Sequence, residues 1–457
     1  MRYLTVLFLS LASVLAAADR PNIVVFLSDD HTVRDSSVYG SKDFPTPNMQ
    51  RLASAGTTFD NAYVVSPSCA PSRAALLTGL FPQRNGAEAN HAAPRADIKK
   101  LPAYFQELGY QVVSFGKVGH YNQTRDYGFD NVRHTGYHED VAIPEAVKWL
   151  DQRKSKKPLC LIVGTNWPHV PWPQNADGID PAKLDIPLHH VDTPVSREWR
   201  ARYATAVRNM DRDLGLVMDA VQRVLGPDTF ILHSSDHGAQ WPFGKWTLYD
   251  DGLRTPLIVS WPGKIAAGKR TDAMVTWVDF LPTLVAVAGG DVPKGLDGKS
   301  FLPELLGQPF ESPRHVFATH SGDGNHNVYP SRSMRTRDGW KYIRNLHPEF
   351  LFASHTTGVE RENSYWQSWL KAAETDPAAA STVHRYQNRP AEELYDTRAD
   401  PFEMKNLAGD PAQAERLTAM HTAVDSWMKD TGDPQKTFGK PTLRTPQPPV
   451  AEDKPKD

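Results

Sequence analysis

Apolar positions along the chain follow two rhythms. Runs with little polar interruption occur at residues 22–28, 110–115, 158–164 and 229–235. Such runs predict strands of a sheet covered on both faces. Between them the apolar positions space out to the helical period, at residues 46–53, 101–108 and 200–224. In the last of these, Tyr203, Val207, Met210, Leu214, Val217 and Val221 share one face. Residues 257–260 predict one more short strand, and residues 279–284 open a helix. Strands alternating with helices predict an α/β fold with a large, mostly parallel sheet flanked by helices.

Past residue 312 the rhythm changes. Residues 315–320, 331–336 and 340–344 read as short strands joined by turns. Residues 393–396 follow as an edge strand, and 411–429 as a closing helix. That order predicts a smaller C-terminal α+β domain with an antiparallel sheet over 313–431. The proline- and charge-rich stretch 432–457 reads as a disordered tail. At the other end, residues 1–18 place Arg2 before an apolar run and Ala16-Ala17-Ala18, the layout of a secretory signal peptide. The run falls short of the roughly 18 apolar residues a span requires, so no membrane span is expected. The expected destination is secreted or periplasmic, or lysosomal in a eukaryote.

A formal net charge of −2 gives no electrostatic footprint for nucleic acid. An anionic ligand would therefore have to be held by a local cationic pocket. The chain has two cysteines, Cys69 and Cys160. Cys160 sits inside a predicted core strand. Cys69 opens Cys69-Ala70-Pro71-Ser72-Arg73-Ala74-Ala75-Leu76-Leu77-Thr78-Gly79, a turn running into a helix, with Pro71 suited to a first helical position and Gly79 to a left-handed stop. Free N–H groups, the positive helix end and the Arg73 guanidinium converge there, as binding of a tetrahedral oxyanion requires.

Other chemistry-bearing residues gather just after predicted strands. Asp29 and Asp30 follow the first strand. Lys117 and His120 follow the second apolar run, His169 between prolines follows the Cys160 strand, and Asp236 and His237 follow the next, with Lys245 close behind. Open α/β sheets place their sites at such strand ends. Paired carboxylates favour a hard divalent ion, and a rigidly held histidine suits proton transfer.

The cysteine motif closely resembles the signature of the type I sulfatases, and the resemblance runs through nearly the whole chain after residue 18. It implies an alkaline-phosphatase-like fold with a catalytic domain over 19–312. It also implies that a maturase converts Cys69 to formylglycine (3-oxoalanine), whose hydrate is the nucleophile. A Cys69–Cys160 disulfide would exclude that conversion. By the same resemblance Asp29, Asp30, Asp236, His237 and modified Cys69 bind Ca²⁺, with Mg²⁺ as the alternative. Arg73 holds the formylglycine, and Lys117 and Lys245 grip sulfate. His169 serves the leaving group and His120 the hydrate, an assignment that could be exchanged. Many members carry asparagine at the position of His237 and Lys-x-His rather than the spacing of Lys117 and His120; the iduronate enzyme resembles this chain at both. Ser68 to Leu80 and Glu393 to Pro401 are most similar to the heparan N-sulfatase (sulfamidase) group.

The resemblance thus implies a sulfatase acting on a sulfated oligo- or polysaccharide, at O- or N-sulfate. Phosphonate or phosphodiester hydrolysis is the alternative within the same superfamily, and a catalytically dead glycan-binding protein is the non-enzymatic one. Placement alone assigns substrate contacts to the 173–199 loop and to 321–335, including His326 and Arg335.

Overall fold

The computed structural model describes residues 20–133, 141–357 and 364–444. The expected signal peptide and the last thirteen residues of the expected tail lie outside the described residues. The larger sheet contains β1 (Ile23–Ser28), β2 (Thr57–Tyr63), β3 (Gln111–Gly116), β4 (Asn131–Arg133), β5 (Leu159–Gly164), β6 (Phe230–Ser235), β7 (Leu257–Ser260) and β8 (Lys269–Thr276). Their order is β4-β3-β5-β1-β6-β7-β2-β8. Only β7 runs against its neighbours β6 and β2; every other pairing in the sheet is parallel.

Helices α1 (Pro47–Ser54), α2 (Cys69–Thr78), α3 (Leu101–Glu107), α4 (Ala142–Gln152), α5 (Pro194–Val224) and α6 (Phe280–Val287) cover this sheet. They form two groups: α1 and α4 pack on α5, whereas α2 and α3 pack on α6. With helices on both sides, every residue of β1 and β5 is buried, which is why those strands are apolar without alternation.

The start of α5 lies six residues before the expected one. Thr193 caps it, its side chain accepting from the Ser196 N–H, and Pro194 takes the first turn, where a missing N–H costs nothing. In α2 the cap is Ser68, so Cys69 itself is the first helical residue and Pro71 the third. Gly79 ends α2 with φ 67°, its N–H returning to the Ala75 carbonyl.

The second sheet has the antiparallel order β12-β11-β10-β9. It comprises β9 (His315–His320), β10 (Ser331–Thr336), β11 (Trp340–Asn345) and β12 (Glu392–Asp396). Helices α7 (Tyr365–Ala373) and α8 (Pro377–Gln387) pack on each other, and α7 also docks on α5, with Trp369 Nε1 donating to Ser196 Oγ at 2.7 Å. Helix α9 (Ala414–Asp430) covers β10 and β11. Its Met420, Val424, Trp427 and Met428 meet Met334, Tyr342 and Leu394 in a cluster separate from the main core. The described part of the tail is held rather than free: Asp433 pairs with buried Arg332, and Leu443 bridges Phe350.

Buried charges join the two sheets. Lys341 on β11 reaches Asp250, before β7, at 2.6 Å and Glu403 at 3.3 Å, and Arg335 on β10 reaches the same Asp250 at 3.4 Å. Burial would raise the Asp250 carboxyl, but Lys341 and Arg335 hold it well below the usual carboxylate range. Glu403 goes the other way, pushed up to about 7 by burial against the pull of Lys341. Lys341→Ala leaves this cluster without its central cation, and urea unfolding should register a loss of about 3–5 kcal/mol.

Candidate active site

The four central neighbours β3, β5, β1 and β6 run parallel, so their C-terminal ends open on one edge of the sheet. The residues expected after each strand meet there. Asp29 and Asp30 leave β1, Lys117 and His120 leave β3, His169 leaves β5, and Asp236 and His237 leave β6. Cys69 arrives at the start of α2 and Lys245 on the connection from β6 to β7. The ends of β3 and β5 are packed backbone to backbone. A side chain at Gly164 would meet the Lys117 carbonyl oxygen at 2.1 Å, so a glycine there sets where Lys117 emerges.

Cys69 Sγ lies 3.3 Å from His237 Nε2, 3.5 Å from Lys117 Nζ and 3.8 Å from Asp29 Oδ1. Lys117 Nζ donates to Asp29 Oδ2 at 2.5 Å, and Lys245 Nζ donates to both oxygens of Asp30 at 2.9 Å. Arg73 Nη2 is 2.9 Å from Asp236 Oδ2 and 3.3 Å from Asp29 Oδ1, and its Nη1 donates to the Lys117 carbonyl. Asp236 Oδ1 accepts the Asp30 N–H at 3.1 Å. His169 Nε2 is 3.9 Å from Asp30 Oδ2, while its Nδ1 meets the Val170 carbonyl at 2.5 Å. His120 packs edge-on against His91 and Tyr121.

Asp29, Asp30, Asp236, Arg73, Lys117, His237 and Lys245 are all 2% exposed or less. Burial shifts their titration. It pushes Asp30 up to about 8, with Asp29 and Asp236 adding to it against Lys245. Asp236 is pushed to about 6 by burial and Asp29 against the pull of Arg73. Asp29 ends well below the usual range, because Lys117, His169 and Arg73 outweigh the cost of burial. Burial, then Lys117, holds His120 neutral, and burial, then Lys245, does the same for His237. Burial also pushes the Cys69 thiol far up, so unmodified Cys69 is a neutral thiol rather than a thiolate nucleophile. Both cysteines are free and buried, which removes the disulfide alternative.

A divalent cation fits this donor set. One ligand atom each from Asp29, Asp30, Cys69 and His237 lies within 4.8 Å of the others. Two hard carboxylate donors converging on one point suit such an ion. Asp236 stands outside that tight group, with Oδ2 turned to Arg73 and 3.5 Å from His237 Nε2.

A cavity of ≈ 170 Å³ opens above Cys69, lined also by Asn90, His91, His120, Tyr121, His169, Val170, Gln240, Lys245, Trp246, Asp323 and His355. Four of the eight described non-glycine residues with left-handed backbone, Asp30, His91, Tyr121 and Trp246, belong to this region, as is common where function demands a strained main chain. Of the segments expected at the substrate, 321–335 reaches this cavity through Asp323. Arg335 is not at the cavity, since it belongs to the Asp250 cluster between the sheets. The 173–199 loop supplies none of the described lining. His326 also stays off the wall and stacks on His355, ring centroids 4.0 Å apart. Asn90, His91, Tyr121, Gln240, Trp246 and His355 were not singled out in the sequence, although Tyr121 and Trp246 directly follow His120 and Lys245.

The sulfatase family profile matches residues 21–290, more than half of the chain. The chain belongs to the sulfatase family. A second profile, N-sulphoglucosamine sulphohydrolase, C-terminal, matches residues 237–368. An ulvan-active sulfatase of Formosa agariphila is 32% identical over 92% of this sulfatase and 82% of its own length. Human N-sulphoglucosamine sulphohydrolase is 27% identical over 90% and 91%. A protein solved in complex with its substrate D-glucosamine-2-N,6-O-disulfate has the same fold, with TM-score 0.70 and 22% identity over 92% of this chain and all of that one. The phosphonate monoester hydrolase of Agrobacterium radiobacter matches as well in fold, with TM-score 0.70 at 18% identity over 93% of this chain and all of that one. Fold alone therefore leaves the acid transferred open, and the family profile and the 32% relative assign the enzyme to sulfate ester or sulfamate hydrolysis.

Metal-stripped enzyme titrated with Ca²⁺ or Mg²⁺ should gain about 2.7 kcal/mol at a hundred times the dissociation constant, read as a rise in unfolding midpoint. Asp30→Asn should abolish the rise.

Proposed function

We propose that the enzyme is an exported sulfatase that removes sulfate ester or N-sulfate groups from a sulfated glycan, using Cys69 matured to formylglycine and a divalent cation, with Ca²⁺ first and Mg²⁺ second. The observation that carries this reading is Cys69 Sγ standing 3.3–3.8 Å from His237, Lys117 and Asp29 at the floor of the cavity. The names of the relatives support a glycan substrate. When present, the formylglycine hydrate supplies a hydroxyl nucleophile and the cation lowers its pKa and neutralises one sulfate oxygen.

The chain's own residues supply the rest. Asp29, Asp30, His237 and matured Cys69 would hold the cation, with Asp236 beside them, and Arg73 fixes the directions of Asp236 and Asp29. Lys117 and Lys245 present ammonium groups beside Cys69, where negative charge builds on the sulfate oxygens. His169 keeps a proton on Nδ1 through the Val170 carbonyl, which leaves Nε2 as the exchanging atom for the leaving group. His120, neutral as burial and Lys117 leave it, accepts the proton of the second hydrate hydroxyl. These two histidine roles are separated by assay: an aryl sulfate with a very good leaving group should rescue His169→Ala and not His120→Ala.

Protein from its own host should yield a Cys69 peptide about 18 Da lighter than the thiol form, the change from thiol to aldehyde. Cys69→Ala should fall below about one-thousandth of parental sulfate release. A phenylphosphonate monoester assayed beside 4-nitrophenyl sulfate tests the rival acid. Faster phosphonate turnover would make the enzyme a phosphonate hydrolase.

A further inference from the structure

The cavity has two chemically different ends. Cys69, Lys245, His120 and His169 line one. At the other, Asp323 is almost fully buried at 3% exposure and is surrounded by donors. Trp246 Nε1 donates to Asp323 Oδ2 at 3.0 Å, His355 Nε2 is 3.2 Å from the same oxygen, and His91 Nε2 is 3.3 Å from Oδ1. The segment is fixed from both sides: Asn90 N–H donates to the Gly322 carbonyl, and Asp323 N–H donates to the Asn327 carbonyl. Burial would raise the Asp323 carboxyl, but the bonds from His355 and His91 keep it ionised.

The carboxylate sets the chemistry of the rings around it. An ionised carboxylate only accepts, so Nε2 carries the proton in both His91 and His355. The Trp246 indole, tilted against the His355 ring at 5.2 Å, adds an apolar face. Among the described residues Asp323, His91, His355 and Trp246 have one lysine near them, Lys245, whose Nζ lies 4.9 Å from the Trp246 ring and is bonded to Asp30. This end therefore offers a carboxylate, two imidazoles bonded to it through Nε2 and an aromatic face. Sugar hydroxyl or ammonium groups donate to such a surface, whereas a sugar carboxylate has no proton to give and meets the field of Asp323.

Resting on the sulfatase reading above, we propose that Asp323, His91, His355 and Trp246 form the sugar end of the active-site cavity and select a sulfated neutral or amino sugar over a sulfated uronic acid. Asp323 is the positioning residue, and the two imidazoles and the indole touch the sugar.

The test compares sugars that differ only at C6, glucose and glucuronic acid carrying sulfate at the same ring position, for both the 2- and 3-sulfates. The wild-type enzyme should favour the glucose sulfate at least ten-fold in kcat/KM at neutral pH. Asp323→Asn should shrink that ratio to within three-fold, mainly by raising KM for the glucose sulfate, with a smaller loss on 4-nitrophenyl sulfate, which has no sugar. His355→Gln, at a more exposed position, should also raise KM more than it lowers kcat, and it keeps the test open if Asp323→Asn does not fold. Equal or reversed preference in the wild type, or a ratio that survives both substitutions, overturns the proposal. Calorimetric titration of the same pairs into the Cys69→Ser chain separates the two readings. A binding preference with no sulfate release by the wild type removes the hydrolase reading and leaves the sugar end standing, and equal affinities remove the sugar end.

Discussion

Everything at the active edge depends on three carboxylates held out of water by three cations. Asp29, Asp30 and Asp236 would each resist ionisation at that depth. Arg73, Lys117 and Lys245 supply the compensating charge through contacts of 2.5–3.3 Å. Breaking such a buried set by removing one partner is costly, because the charge left behind has no solvent. The balance also explains why the groups come from separate strands: a parallel sheet gathers its C-terminal ends along one edge, so neighbours in space need not be neighbours in sequence. Lys117 and Lys245 are bonded to Asp29 and Asp30.

The second sheet completes this edge as well as extending the fold. The turn after β9 brings Asp323, and the segment after β11 brings His355, over a floor made by the larger sheet. Asp250, Lys341 and Arg335 tie the two sheets together in a second buried cluster. Sulfate chemistry thus stays with the larger sheet, while the surface facing the rest of the substrate is assembled from both.

How much was legible in the sequence follows from how local each signal is. The uninterrupted runs of β1, β3, β5 and β6 state that both faces of the sheet are covered, and the antiparallel strands β9 and β10 match their expected bounds. Helices α7 and α8 were missed, since their stability comes from packing on α5 and on each other, which no local period reports. The start of α5 was misplaced because Pro194 reads as a loop residue until Thr193 is seen to cap it. Placement at the end of 321–335 suggests a substrate contact for Arg335, but its side chain turns to Asp250.

By itself, the sequence determined the α/β class, the helix that begins at Cys69 and the set of charged residues at the strand ends, because these depend on residue type and short spacing. Tertiary structure decided which strands are neighbours, that Lys117 and Lys245 face Cys69 from two sides, that both cysteines are free, and that Asp323 and His355 face the same cavity as Cys69. Those outcomes depend on strand order and on contacts between segments up to two hundred and more residues apart. Burial and direction of a side chain arise only when the whole chain has closed around it.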